Sequence, residues 1–100
     1  MPFLIETHDK HGHHELRLAT RDEHLAYLDS RVERLIACGA KLSDDGKRAH
    51  GGIYLVAVES RQEARDFIEA DPFYRAGLFE RVDISRWRQA YLDRRNTLND

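Results

Sequence analysis

With 100 residues, 41% of them hydrophobic, the chain can build one compact core but not two. Its 16 basic and 18 acidic side chains are dispersed and leave a net charge of −2, which argues against the positive footprint of a nucleic-acid-binding protein. No run approaches the roughly 18 apolar residues of a membrane span, and the start Met1-Pro2-Phe3-Leu4-Ile5-Glu6 is not a secretory leader, so a cytoplasmic protein without nucleic-acid or membrane partners is expected.

Phe3 to His8 is rich in β-formers and follows Pro2, which predicts a first strand running into the polar loop Asp9-Lys10-His11-Gly12-His13-His14. Thr20-x-x-Glu23 has capping-box spacing and predicts a helix from about Arg21 to Cys38. Leu25, Leu28, Val32, Leu35 and Ile36 form its apolar stripe, with Gly39 as the left-handed terminator. Ala40–Ser43 is a short strand candidate, and Asp44-Asp45-Gly46 opens a turn and a loop through His50 and Gly51. Gly52–Val58 is almost continuously apolar and reads as a central strand.

Ser60-x-x-Glu63 caps a second helix, whose Ala64, Phe67 and Ile68 face inward and which Pro72 stops. Asp71-Pro72 caps a further helical turn through Tyr74, and Gly77 releases the chain into a last strand over Leu78–Trp87. The order β-α-β-β-α-β is a split βαβ arrangement: an α+β fold in which two helices cover one face of a four-stranded antiparallel sheet. Residues 1–90 are expected to form a single domain, and 91–100 a tail that frays or docks on a partner subunit. The uncovered sheet face predicts pairing with a second copy, a homodimer.

The chemistry concentrates in Arg17-x-x-x-Arg21-x-x-His24-Leu25 and Asp71-Pro72-Phe73. One segment joins two fixed positive charges to an imidazole that titrates near neutrality, and the other supplies a carboxylate able to orient it. His24 and Arg21 both fall at or beside the apolar stripe near a helix start, where polar groups need partners and an anion is favoured. A His24–Asp71 contact within hydrogen-bond reach is therefore predicted, with Arg21 and a loop-borne Arg17 as the residues expected to hold a small anionic or phenolic ligand. The bland alternatives are an Arg21 ion pair at the rim, a solvated Arg17, a His24 bonded to a backbone carbonyl, and an Asp71 that only caps. His8, at the strand end, is the histidine expected to enter the cleft, and Tyr54 can either donate its hydroxyl to the ligand or lie as an ordinary buried aromatic. His8, His11, His13 and His14 lack the fixed helical spacing of a metal motif and read as a solvated loop, with no metal site. Cys38, the single cysteine, reads as a small buried hydrophobe and not as a nucleophile. No nucleotide-binding glycine motif or serine triad is present, so cofactor-free proton transfer is the simplest chemistry.

The residues Phe3-Leu4-Ile5, Arg17 to Leu25, Gly39, Asp45-Gly46 and Ala70-Asp71-Pro72-Phe73 to Ala76-Gly77-Leu78-Phe79 together resemble the YciI-like, YCII-related family of small α+β proteins. The resemblance implies a ferredoxin-like fold assembled as a dimeric α/β barrel and an active-site pair that maps onto His24 and Asp71. It also implies lyase, isomerase or dehydrochlorinase-like activity, since one relative in chlorinated-aromatic breakdown is a dehydrochlorinase. A non-catalytic ligand-binding or accessory dimer is the alternative, and a pure interaction module the third. Phe73 departs from the family, which often has Tyr there, and so does the histidine-rich loop.

Overall fold

The computed structural model describes residues 1–98. Strand β1 (Phe3–Asp9) leads into helix α1 (His14–Ser30), and a 3-10 turn at Val32–Arg34 precedes β2 (Leu35–Leu42) and β3 (Ala49–Val56). Helix α2 (Arg61–Glu69), the short α3 (Pro72–Arg75) and β4 (Phe79–Arg86) follow, then a hairpin of β5 (Tyr91–Leu92) and β6 (Arg95–Asn96). The main sheet has the order β2-β3-β1-β4, with every neighbour antiparallel. This is the α+β arrangement expected from the element order. Among the described residues, no helix is long and apolar enough to cross a membrane.

Strand alternation builds the core. Phe3, Ile5 and Thr7 of β1 and Tyr54 and Val56 of β3 point toward the helices and are buried, and Ala64, Phe67 and Ile68 of α2 close over them. The cap predicted for α2 is present, with the Ser60 hydroxyl accepting from the Glu63 amide at 3.1 Å. Tyr27 of α1 donates its hydroxyl to the Phe67 carbonyl at 2.6 Å, which ties the two long helices together. The opposite sheet face carries Glu6, His8, Lys41, Ile53 and Asp83.

Three expectations are corrected. Helix α1 begins at His14 and ends at Ser30, so Thr20 lies in its middle, buried, and caps nothing. Residues from Leu35 to Leu42, assigned above to the helix stripe and a short strand, are one strand paired with β3, and Gly39 is an ordinary strand residue. Helical spacing and strand alternation overlap in so short an apolar run, and pairing with β3 decides the outcome. The true start of α1 sends no cap signal, because His13 occupies the N-cap position without a side-chain hydrogen bond. The described part of the tail is also more ordered than expected. Asp93 and Arg94, both left-handed at φ 51° and 65°, make the two-residue turn of the β5–β6 hairpin, while residues 99–100 of the predicted tail lie outside the described residues.

Candidate active site

Helix α1 buries Arg17, Thr20 and His24, and no apolar residue of the helix is as deeply covered. These positions share one face, so the helix presents polar chemistry where packing alone would call for leucine. That face packs chiefly on α3 and overhangs β2 and β3, leaving a cleft of about 220 Å³ between helix and sheet. Arg17, Arg21, His24, Cys38, Gly52 and Tyr54 are among its walls.

Asp71 is the anchor. Its backbone is extended and its side chain caps α3, accepting from the Phe73 amide at 2.8 Å. The same carboxylate, fully buried, stands 2.9 Å from His24 Nδ1 through each of its oxygens and accepts the Tyr54 hydroxyl at 3.1 Å. Capping and imidazole orientation thus coexist in one carboxylate. A carboxylate offers only acceptors, so the shared proton sits on Nδ1, and in the neutral form of the ring Nε2 is bare. The His24 ring is further fixed by stacking on Phe73, with centroids 3.9 Å apart and planes 15° from parallel. Burial, then the negative charge of Asp71, pushes the Tyr54 phenol far above its ordinary pKa and keeps it a neutral donor.

The structure places the remaining candidates differently from one another. Arg17 lies within α1 and not in a preceding loop; it is buried, and it donates to Asp9 at 2.7 and 3.3 Å and to the Gly51 carbonyl at 3.1 Å. Its guanidinium also lies over the Phe73 ring, 4.7 Å from the centroid. Arg21 is exposed at the cleft rim and has no ion-pair partner among the described residues. Tyr54 lines the cleft with its ring but gives its hydroxyl to Asp71, not to the open space.

His8 does not enter the cleft. It points to the opposite sheet face, where its Nε2 lies 3.2 Å from Asp83 and its Nδ1 3.0 Å from the Lys41 ammonium. Strand alternation is the reason, since Thr7 takes the cleft side and its neighbour must face away. Glu6, His8 and Asp83 bring donor atoms within 4.8 Å of one another, yet Lys41 already stands 3.2 Å from Glu6 inside the group, which makes it an ion-pair network. His11, His13, His14 and His50 border a separate hollow of about 360 Å³ and do not converge as a trio of donors. Cys38 is on β2 and exposed, not on a helix; the cleft wall withdraws solvent from its thiol and, with the Asp71 charge, raises its pKa to about 11.

Sequence reasoning missed Asp9 and the stacking role of Phe73. Asp9 sat unmarked in the polar segment, and only the start of α1 at His14, just after the end of β1, brings Arg17 onto it. Wider hollows exist elsewhere, such as one of about 360 Å³ among Arg31, Arg34, Glu63 and Asp66, but that one joins no buried imidazole to a carboxylate.

Fold and site together define a small α+β protein whose cleft is organised by a buried imidazole–carboxylate pair. The chain belongs to the YCII-related family, whose domain matches residues 1–88. It is 30% identical over 98 residues to Protein YciI of Escherichia coli O6:H1 and to Protein YciI of Shigella flexneri, with 91% of this chain and all of each relative covered. Among solved structures it is similar to the 5-chloro-2-hydroxyhydroquinone dehydrochlorinase TftG from Burkholderia phenoliruptrix AC1100 in complex with 2,5-dihydroxybenzoquinone. That likeness has a TM-score of 0.81 and 34% identity, covering 88% of this chain and 94% of that one.

Proposed function

We propose that the chain is a cofactor-free acid–base enzyme that eliminates a halide or isomerises a small hydroxylated aromatic or similarly anionic molecule, with His24 as the base. The observation that carries this reading is the division of labour within one ring: Nδ1 is held by Asp71 at 2.9 Å, so Nε2 is left as the proton acceptor beside the cleft. The likeness to a dehydrochlorinase supports a chlorinated hydroxybenzene as the substrate class. In such an elimination a ring hydroxyl becomes a carbonyl as the neighbouring carbon, which bears the chlorine, gains a proton; Nε2 then takes the proton of a second hydroxyl, the released pair moves through the ring, and chloride leaves with its own bonding pair. Proton and chloride are the only losses, and no oxidant or reductant enters.

Arg21, uncompensated at the rim, draws a phenolate or carboxylate inward, whereas Arg17, already neutralised by Asp9, shapes the cleft and holds Phe73 under the imidazole. A homodimer formed through the open sheet face, closing a dimeric α/β barrel, is part of this reading; the exposed Ile53 on that face supports it.

The test is chloride release from 5-chloro-2-hydroxyhydroquinone by wild type and by His24→Gln. Loss of a positioned base is expected to lower kcat by roughly 10²–10⁴-fold while binding is retained. Wild type that binds the compound without releasing chloride would favour the ligand-binding alternative, and an unimpaired His24→Gln would remove His24 from the chemistry.

A further inference from the structure

The cleft between α1 and the sheet has two chemically different ends. Its helix wall runs from Arg17 through Arg21 and His24 to Leu28, each about one turn beyond the last on a single face. Arg17 donates to the Gly51 carbonyl, and Gly51 lies opposite Lys41, so the guanidinium end of the helix stands over the late part of β2. At the other end the chain leaves α1 at Ser30 and enters β2 at Leu35, which sets Leu28 over the early part of the same strand.

Strand alternation supplies the floor. Cys38 and Ala40 of β2 lie opposite Tyr54 and Gly52 of β3, so both face α1 and line the cleft. Arg21 therefore shares one end with Ala40 and Gly52, and Leu28 shares the other with Cys38 and the Tyr54 ring, whose hydroxyl is already given to Asp71. Among the described residues that line the cleft, none beyond His24 along the helix carries a charge.

We infer that the cleft takes its ligand in one orientation, with an anionic oxygen at Arg21 and an apolar substituent on the opposite side of the ring, packed on Leu28 and Cys38. This rests on the reading of the cleft as a substrate site, and it makes Leu28 and Cys38 the specificity-determining residues of that site. Arg21 and Leu28 are separated by about 10 Å along the helix axis, a span that suits a single ring with one substituent at each end. His24 lies between them and meets the side of the ring. A chlorine para to an oxygen satisfies both ends at once, and 5-chloro-2-hydroxyhydroquinone, the test substrate named above, has its chlorine para to its 2-hydroxyl.

The experiment measures binding of benzoate, 4-methylbenzoate and 4-hydroxybenzoate, which share one anionic group and differ only in the substituent para to it. Wild type is expected to bind 4-methylbenzoate about fourfold more tightly than benzoate, the size of one buried methyl, and 4-hydroxybenzoate more weakly than benzoate. Leu28→Asn and Cys38→Asn, which place an amide at the apolar end, are expected to erase the methyl preference. Arg21→Gln is expected to weaken all three probes about tenfold and leave their order intact. Cys38 is exposed on the edge strand, so Cys38→Asn carries the test should Leu28→Asn fail to fold. A wild type without the methyl preference, or a folded Cys38→Asn that keeps it, overturns the inference and leaves a ligand-binding cleft in place. Wild type that binds none of the three at millimolar concentration is a separate result, which defeats the substrate-site reading and this inference with it.

Discussion

At the scale of single residues, the site is held by how fully Asp71 is used. Donors from α1, β3 and α3 meet at one buried carboxylate, so a local capping motif becomes the point where three elements are locked together. Its cap role was legible, because Asp before Pro has a local signature, and its partnership with His24 followed from chemical complementarity and from family resemblance. Asp9 was not legible, since its partner Arg17, only eight residues on, reads as loop from sequence, and only the true start of α1 at His14 sets its side chain against the end of β1. Cys38 offers a residue-scale check on the cleft itself. The thiolate is the reactive form, and raising the pKa from 9.0 to about 11 leaves roughly a hundredfold less of it at any pH below both values. Iodoacetamide should therefore modify Cys38 slowly near pH 8, about a hundredfold below an unperturbed thiol, and the rate should climb until about pH 11. Modification as fast as in the denatured chain would show that the cleft wall does not shelter the sulfur.

At the scale of elements, α1 and β2 explain why the sequence was partly misread. The capping-box match at Thr20 was accidental, and the leucines and isoleucine between Leu25 and Ile36 fit a helix stripe equally well when no partner strand is in view. By contrast α2, β1 and β4 were found close to their observed limits, because local signals and tertiary packing agree there, whereas β3 begins at Ala49 and ends at Val56, so that Ala49, His50 and Gly51, read above as loop, are strand residues held by pairing with β2. The inward face of α1 is stabilised by polar pairing, and the Arg17–Asp9 ion pair, with both side chains more than nine-tenths buried, is its main fixture. Asp9→Ala leaves a guanidinium buried with a single carbonyl partner and should destabilise the protein by about 3 kcal/mol in urea unfolding. Adding Arg17→Met should recover much of that loss, since it removes the stranded charge. A stable Asp9→Ala single variant would mean that α1 does not depend on this pair.

At the scale of the whole molecule, one sheet face is packed under helices and the other carries an ion-pair network beside exposed Ile53. A chain of 100 residues gains little from leaving such a face in water, which motivates the homodimer. Sedimentation velocity of wild type at micromolar concentration should give a dimer. Ile53→Asp, which buries a charge at the proposed contact without touching the cleft, should shift it to monomer. A monomeric wild type would leave the cleft as described and remove the barrel assembly. The fold class was legible at this scale from element order alone, whereas the C-terminal hairpin was not, since Asp93-Arg94 lacks the glycine that normally announces a two-residue turn.

The measurement closest to the central claim is the tautomer of the His24 ring, read from long-range proton–nitrogen NMR correlations of the labelled protein at about pH 8, where a free imidazole is neutral. The account predicts a protonated Nδ1 and a bare Nε2, with that preference lost in Asp71→Asn. A ring protonated on Nε2 in the wild-type protein would contradict it, because His24 would then face the cleft as a donor and could not take the substrate proton.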